Sequence, residues 1–245
     1  MSWTYEVALR GGADQQAALR AWLETHAREI CGALPGLAHF DLYTPADGAS
    51  RDPYNDDGAG PLMMLMLDFV GRDALAAAVE SGRIVAAVDA LAPDIAATGA
   101  AFERRFHPVG GVTTPAVLQA SFSYVVRYHR PADDEAAFIE NYIATHPPTQ
   151  AKLPGIRGIM CYLPLDAVRT REPHRGGGRT GHRAGSGLQS PDYMIGNEVV
   201  FDHIDAFNVA MASAARHELR AHYHAFPRFT GANTHYPMTR MRLVG

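Results

Sequence analysis

The residue best suited to chemistry in this sequence is His146, which lies in the stretch YIATHPPTQAKLPGI directly before two prolines. Histidine exchanges protons near neutral pH, so an imidazole aimed at a pocket can serve as a general acid or base. Pro147 disfavours helical geometry in the residue before it, which predicts that a helix breaks at His146 or restarts with Pro148 in its first turn. The structural alternative is that Thr145 and His146 only hydrogen-bond a helix end.

A second candidate for catalysis is His129, which follows the strand-like run VVRY. At the end of a strand it can face the same cavity as His146, whereas the alternative is a solvent-facing turn. Five further residues are predicted to bind the substrate; they are Tyr142, Tyr128, His235, His26 and Trp22. Of these, His26 lies in an uninterrupted helical pattern, which favours a structural role for it.

The twelve histidines raise the question of a metal site. His217, His222 and His224 are spaced by five and two residues, whereas two ligands on one helix face need a spacing of three or four. Neither HxxxH nor HExxH occurs, and Cys31 and Cys161 form no CxxC motif. The sequence therefore predicts no metal site, and the favoured chemistry requires no cofactor.

The stretch at 171–191 is rich in glycine and arginine, with three consecutive glycines and four arginines. It lacks the GxxxxGK(S/T) motif by which a P-loop binds phosphate, so binding of an anionic substrate by this stretch is the less favoured interpretation. We predict a hairpin insertion here, and a role as a lid is left open.

The composition is that of a globular protein, with 245 residues of which 47% are hydrophobic and 20% are charged, and a formal net charge of -4. This charge gives no electrostatic reason to expect nucleic acid or an anionic membrane as a partner. The N-terminus lacks a signal-peptide pattern, and the longest apolar run, LMMLML at 62–67, is too short to span a bilayer. We expect a cytoplasmic protein whose partner is a small-molecule ligand.

Two parts of the chain repeat one pattern, since residues 21–47 align with residues 141–166 when one single-residue gap is allowed. Both contain a Thr-His pair, a Leu-Pro-Gly turn and an aromatic residue before the histidine. The matching positions are Thr25-His26 and Thr145-His146, Leu34-Pro35-Gly36 and Leu153-Pro154-Gly155, and Trp22 and Tyr142. A shared pattern of this kind indicates a duplicated fold unit.

Each copy has the order strand, helix, two strands, helix and strand, which is the order of a ferredoxin-like βαββαβ unit. Strands are predicted at 5–10, 37–43, 62–69 and 100–106, and at 122–128, 156–163, 193–201 and 235–244, with helical stretches at 72–98 and 205–225. Because both faces of these sheets are apolar, we expect two tandem units packed sheet to sheet as an intramolecular α+β barrel. We place the first unit at 1–108, a linker at 109–118 and the second unit at 119–245.

The aromatic residue, the xxTH pattern and the LPG turn before a strand resemble the dimeric α+β barrel superfamily, and within it most the EthD family. The resemblance covers both halves of the chain, at 3–107 and 120–244. It implies a protein of a catabolic or biosynthetic pathway for small organic molecules, with an apolar pocket in the barrel interior that holds few polar groups. Chlorite dismutase-like proteins also pair two such units, which implies haem as the alternative cofactor.

The favoured function is a cofactor-independent enzyme that performs isomerisation, cyclisation, dehydration or decarboxylation on a small apolar compound. His146 would act as the base or acid, with His129 and the neighbouring tyrosines orienting the substrate. The alternative is a non-catalytic accessory protein that binds a ligand or haem in the same pocket. An assembly module whose barrel is filled by side chains, and a homodimer of the two-unit chain, are also left open.

Overall fold

In the computed structural model, the described residues are 2–55, 57–58, 60–91, 94–110, 118, 120–166, 168 and 188–245. Most of the Gly/Arg-rich stretch at 171–191, for which the sequence leaves a lid role open, lies outside the described residues. Most of the linker expected at 109–118 lies outside them as well.

Eight β-strands form the centre of the protein. They are β1 (Ser2–Arg10), β2 (Leu37–Pro45), β3 (Met63–Phe69), β4 (Ala96–His107), β5 (Phe122–His129), β6 (Gly158–Pro164), β7 (Tyr193–Phe201) and β8 (Asn233–Val244). The strands close into an antiparallel barrel in the order β1-β3-β2-β8-β5-β7-β6-β4. The pairs β2–β8 and β4–β6 join the first half of the chain to the second. The expected α+β barrel is thereby confirmed.

Six α-helices accompany the barrel in the described part of the chain. They are α1 (Gln16–Ala33), α2 (Arg72–Glu80), α3 (Arg83–Asp89), α4 (Glu135–Gln150), α5 (Ile204–Met211) and α6 (Ala214–His224). Side chains satisfy the first N–H groups of two of them. Asp134 accepts a hydrogen bond from the backbone N–H of Ala137 at 3.0 Å before α4, and Nδ1 of His203 accepts one from Ala206 at 3.2 Å before α5.

Alternate residues of each strand face two different cores, because successive strand side chains point to opposite sides. In β1, Leu9 packs with the helices of the first half, whereas Ala8 faces the barrel interior. In β5, Val126 packs with the helices of the second half, whereas Val125 faces the interior. The helices therefore cover the outside of the barrel in two separate apolar layers.

The barrel interior contains buried charges that are paired. Arg127 of β5 forms an ion pair with Glu6 of β1, with its Nε 3.1 Å from Oε2. Asp68 accepts hydrogen bonds from Thr4 at 2.6 Å and from Arg104 at 2.5 Å. A charge removed from water is tolerated only when a partner of opposite sign or several hydrogen bonds compensate it, and these contacts supply that compensation.

Glu198 of β7 is compensated by three hydroxyl groups in the same interior. It accepts hydrogen bonds from Tyr43 at 3.0 Å, from Ser123 at 2.5 Å and from Tyr162 at 2.6 Å. Burial, and next the Glu198 carboxylate, raise the pKa of both tyrosines, so both hydroxyls remain protonated donors. The expectation of an apolar interior with few polar groups is therefore wrong.

Helix α4 runs through both prolines and ends at Gln150, so the predicted break at His146 is wrong. The two prolines remove only their own N–H donors from the helix, and other interactions hold its last turn. The hydroxyl of Thr149 donates to the carbonyl of Thr145 at 3.0 Å. The inner face of the helix, which includes His146 and Gln150, is buried against the barrel and fixes the remaining backbone.

The other predicted elements are present with small shifts at their ends. Strand β7 has the predicted bounds, Tyr193–Phe201. Strand β4 begins at Ala96, inside the range 72–98 expected to be helical. The range 205–225 is divided into α5 and α6. Among the described residues, no helix has both the length and the apolar character that a membrane crossing requires.

Candidate functional site

A cavity of about 60 Å³ lies in the second half of the chain, between the outer face of the barrel and helices α4 and α6. Strand β5 contributes Tyr124 and Tyr128, β8 contributes His235, and α4 contributes Tyr142 and His146. Each pair is four residues apart, which is an even number of positions along a strand and about one turn along a helix, so both members lie on one face of their element. Of these five, Tyr124 is the one that the sequence analysis did not select.

The imidazole of His146 is buried, with 8% of the residue exposed, and its Nδ1 has no hydrogen-bond partner among the described residues. Burial foremost, and then His222, Arg216 and His235, lower the pKa of His146 to about 3. The side chain is therefore a neutral imidazole at pH 7. A buried polar atom without a hydrogen-bond partner destabilises the folded protein by about 1–3 kcal/mol. The unpartnered Nδ1 therefore marks a position where a ligand can supply the missing hydrogen bond.

Aromatic rings surround this imidazole. The centroids of the Tyr142 and Phe226 rings lie 4.8 and 5.2 Å from it, and the Tyr128 ring lies 5.3 Å from that of Tyr142. Burial above all raises the pKa of both tyrosines, so their hydroxyls are protonated at neutral pH. The arrangement offers flat apolar surfaces and phenol groups to a ligand that reaches His146.

The β2–β3 loop, which spans 46–62, reaches from the first half of the chain to the wall of this cavity. The side chain of Asp52 is buried, and its carboxylate accepts hydrogen bonds from Arg216 of α6 at 2.7 Å and from the Tyr124 hydroxyl at 3.0 Å. Asn55 donates to the same carboxylate at 2.9 Å. Burial first, and then Asp52, raise the pKa of Tyr124, which remains a donor.

His235 is tied to the same loop. Its Nδ1 lies 2.7 Å from Oδ2 of Asp57, and its ring stacks on Tyr124 with centroids 5.7 Å apart. The hydrogen bond with His235 is the main cause that lowers the pKa of Asp57. This contact with Asp57 fixes the orientation of the His235 ring in the cavity wall.

Gln150 and Asn197 form a buried pair of side-chain amides in the cavity wall. Nε2 of Gln150 donates to Oδ1 of Asn197 at 2.6 Å, and Nδ2 of Asn197 donates back to Oε1 of Gln150 at 3.1 Å. Asn197 also donates to the carbonyl of Met160 at 3.2 Å. Because each amide satisfies the other, this part of the wall is fixed in position.

The structure does not bring His129 to this cavity. Its Nδ1 lies 2.5 Å from Asp192, and its ring contacts that of Tyr193 with centroids 5.1 Å apart. Successive residues of a strand point to opposite faces, so His129 faces away from the side that Tyr128 presents to the helices. The prediction that His129 shares the cavity of His146 is wrong for this reason.

His26 and Trp22 lie on α1 in the first half of the chain and do not line the cavity of His146. Nδ1 of His26 lies 3.2 Å from Glu29, one helical turn away, and the imidazole is partly exposed. The indole of Trp22 donates to the carbonyl of Ala87 at 3.0 Å. These contacts fit the structural interpretation of His26 and leave Trp22 in a packing role.

The residues predicted from the sequence do not include Asp52, Arg216 and Tyr124. The sequence of helix α6 could have indicated Arg216. It is spaced by four residues from Arg220, which is spaced by three from Tyr223, so the three side chains share one helix face. Asp52 has no such signal, since it is one of several acidic residues in a long loop whose path the sequence does not define.

The described residues contain no group of three or more His, Cys, Asp or Glu side chains that could hold a metal ion. Cys161 is buried, and burial raises the pKa of its thiol to about 12, which makes it a poor nucleophile. Small-molecule sites commonly measure roughly 300–1,000 Å³. The cavity at His146, at about 60 Å³, does not fit a haem as it stands.

Comparison with known proteins identifies the fold. No protein-family model matches the sequence, and no curated protein matches it either. An anthrone oxidase-like protein of solved structure aligns with a TM-score of 0.63 at 12% sequence identity, over 98% of this chain and 92% of that one. This is a fold of the dimeric α+β barrel kind.

Two candidate monooxygenases of solved structure share this barrel. The one from Lactobacillus acidophilus aligns with a TM-score of 0.54 at 9% identity, over 100% of this chain and 97% of its own. The one from Fusobacterium nucleatum aligns with a TM-score of 0.55 at 9% identity, over 98% of this chain and 92% of its own. Identities this low show a common fold and leave the reaction to be argued from the site.

Proposed function

We propose that the protein is a cofactor-independent enzyme that transfers a proton on a small, largely apolar organic compound. The observation that carries the proposal is the neutral imidazole of His146, buried beside a cavity with Nδ1 unpartnered among the described residues. The buried charges of the barrel interior are compensated. A buried imidazole nitrogen that has no partner among the described residues and lies beside a cavity supports a chemical role rather than a structural one.

His146 is the base in this reaction. It takes a proton from a carbon that is activated by a neighbouring carbonyl group: the C–H bond breaks, an N–H bond forms, and the electron pair stays on the substrate as an enolate. The enolate stabilises the imidazolium beside it, which offsets the low pKa that burial imposes in the free protein. Return of the proton to another atom of the enolate completes an isomerisation.

Three further side chains are proposed to orient the substrate. Tyr128 and Tyr142 offer their rings and protonated hydroxyls, and His235, held by Asp57, offers a hydrogen-bonding imidazole. His129, His26 and Trp22 lie elsewhere and have no part in this proposal.

The name of one similar structure supports an aromatic substrate in this proposal. Anthrone, for which one of them is named, is an aromatic ketone whose methylene protons are activated by its carbonyl group. Such a carbon acid is the kind of compound on which a neutral imidazole in an apolar pocket can act.

Within the superfamily, we propose that the chain is EthD-like and arose by tandem duplication. The strand order supports this, because the first half has neighbours in the order β4-β1-β3-β2 and the second half in the equivalent order β8-β5-β7-β6. The repeated Thr-His and Leu-Pro-Gly patterns support it as well. The proposed units are 1–108 and 119–245, joined by 109–118.

The test measures deuterium incorporation from D₂O into two aromatic carbon acids, anthrone and phenylpyruvate, by NMR. We expect the protein to accelerate exchange at the methylene group of at least one of them and His146→Gln to remove that acceleration. His26→Gln is the matched control, because it changes the equivalent histidine of the first half. The proposal fails if the protein accelerates neither exchange, or if a folded His146→Gln variant is as active as the wild type.

A further inference from the structure

Helix α6 brings two guanidinium groups, those of Arg216 and Arg220, to the cavity of His146. Among the described residues, one carboxylate pairs with them. Asp52 pairs with Arg216 at 2.7 Å. The guanidinium of Arg220 lies over the rings of Tyr54 and Tyr223, 5.2 and 5.0 Å from their centroids, and has no carboxylate partner among the described residues. Arg220 therefore presents a guanidinium at the cavity with which an anionic ligand would pair.

Asp52 occupies a position that suits a carboxylate of a ligand. Its side chain is 1% exposed, and it accepts hydrogen bonds from Nε and Nη2 of Arg216 at 3.1 and 2.7 Å. The Tyr124 hydroxyl donates to its second oxygen at 3.0 Å. Arginine recognises carboxylates by such paired donors. Because Arg216, Tyr124 and His146 line one cavity, a ligand held by these donors would extend toward the imidazole.

The loop that carries Asp52 is the wall best able to move. A cavity of about 60 Å³ is several times smaller than the roughly 300 Å³ at which small-molecule sites begin. Helices and strands form most of its lining, whereas Asp52 and Asn55 belong to the β2–β3 loop. The loop meets α6 through polar contacts that water can replace, such as the Tyr54 hydroxyl 2.5 Å from Nδ1 of His217.

We propose that the substrate carries a carboxylate, which displaces Asp52 from Arg216 and Tyr124 as the β2–β3 loop opens. Asp52 competes with the carboxylate of the ligand for these two donors. The site stays closed until an aromatic acid takes its place. The tyrosines around His146 define the aromatic part of this ligand. The inference rests on the proposed function for the chemistry that follows binding, but binding is measurable without turnover.

The test compares the binding of 2-naphthoate and of its neutral analogue 2-naphthamide by isothermal titration calorimetry. The proteins are the wild type, Asp52→Asn and Asp47→Asn, the last being the control because Asp47 is an exposed carboxylate of the same loop. We expect Asp52→Asn to bind 2-naphthoate about tenfold more tightly than the wild type, because the competing closed state is weakened. Asp47→Asn should match the wild type, and 2-naphthamide should gain nothing. Equal affinities of the two variants for 2-naphthoate, or an equal gain for 2-naphthamide, overturn the proposal.

A second measurement uses the wild type and does not depend on how a loop variant folds. We expect 2-naphthoate to speed hydrogen–deuterium exchange of the amides at 49–55, and 2-naphthamide to leave it unchanged. Binding of 2-naphthoate without faster exchange contradicts the proposal, and so does the absence of binding to the wild type.

The variant His146→Gln separates this inference from the proposed reaction. It should still bind 2-naphthoate in preference to 2-naphthamide, because Arg216 and Tyr124 are unchanged. If it binds while the wild type fails to exchange the carbon acids, the reaction is wrong and the carboxylate site stands. If the carbon acids exchange but Asp52→Asn binds 2-naphthoate no more tightly than the wild type, the proposed reaction stands and the proposed carboxylate site is wrong.

Discussion

The two halves of the chain hold the same histidine on the same kind of helix in different ways. In the first half, the side chain of His26 is 26% exposed and pairs with Glu29 on its own helix. In the second half, His146 is buried, and its Nδ1 has no partner among the described residues. The Thr-His and Leu-Pro-Gly pattern is common to both, so the pattern by itself does not decide the environment of the imidazole.

The difference comes from what covers each helix. Phe226, which follows α6, packs edge-on against His146 with centroids 5.2 Å apart, and Tyr142 covers it from the preceding turn. In the first half, His26 instead borders an open groove of about 490 Å³ between α1 and α3, with Ala86 on the α3 side. A shared motif thus places a histidine on a helix, and residues distant in sequence determine whether it is solvated or available to a ligand.

The largest effect is expected from the paired histidine variants. His146→Gln should lower the rate of deuterium exchange into a responsive carbon acid by at least about 100-fold, the usual contribution of a general base. His26→Gln should retain the wild-type rate within about twofold, because its side chain is partly exposed and pairs with Glu29 away from the cavity of His146. Equal losses in both variants would show that the two histidines are not functionally distinct.

Stability should depend on pH through His146. The unfolded imidazole binds a proton below its ordinary pKa of about 6.5, whereas the folded one resists protonation until about pH 3. Acidification therefore favours the unfolded state, and the contribution of His146 to the free energy of unfolding should fall by about 2 kcal/mol between pH 7 and pH 5. Urea unfolding at the two pH values should show that His146→Gln loses less stability than the wild type by this amount. Identical losses would mean that His146 is solvated.

The smallest effect is expected from the prolines that distinguish α4 from the corresponding stretch of the first half. Pro148 is exposed in the last turn of α4, and the helix already continues past it. Pro148→Ala should therefore change the free energy of unfolding by no more than about 1 kcal/mol and leave the exchange rate within about twofold. A tenfold loss of activity would assign the prolines a direct part in positioning His146.

The fold was largely predictable from local signals. Alternating apolar runs and turn residues marked all the strands, and the internal repeat indicated two sheets that close on each other. The interior was not predictable in the same way. The pairing of Glu6 with Arg127 joins residues 121 apart in sequence, and no local pattern records such a contact.

The candidate site was predictable only in part. His146, Tyr142 and Tyr128 lie together because helix and strand periodicity place them on facing surfaces, and periodicity can be read from a sequence. Asp52 reaches the site through a long loop, whose path depends on tertiary contacts. The predicted helix break failed because burial of a helix face outweighs the two hydrogen bonds that the prolines remove.

The central claim is that the second half keeps a neutral, buried histidine beside a cavity. NMR titration of the imidazole resonances tests it without a substrate, with the His146 signals assigned by their absence from the spectrum of His146→Gln. We expect these signals to stay at their neutral positions from pH 8 to about pH 5, two units above the pKa near 3. A titration midpoint near the ordinary value of about 6.5 would contradict it.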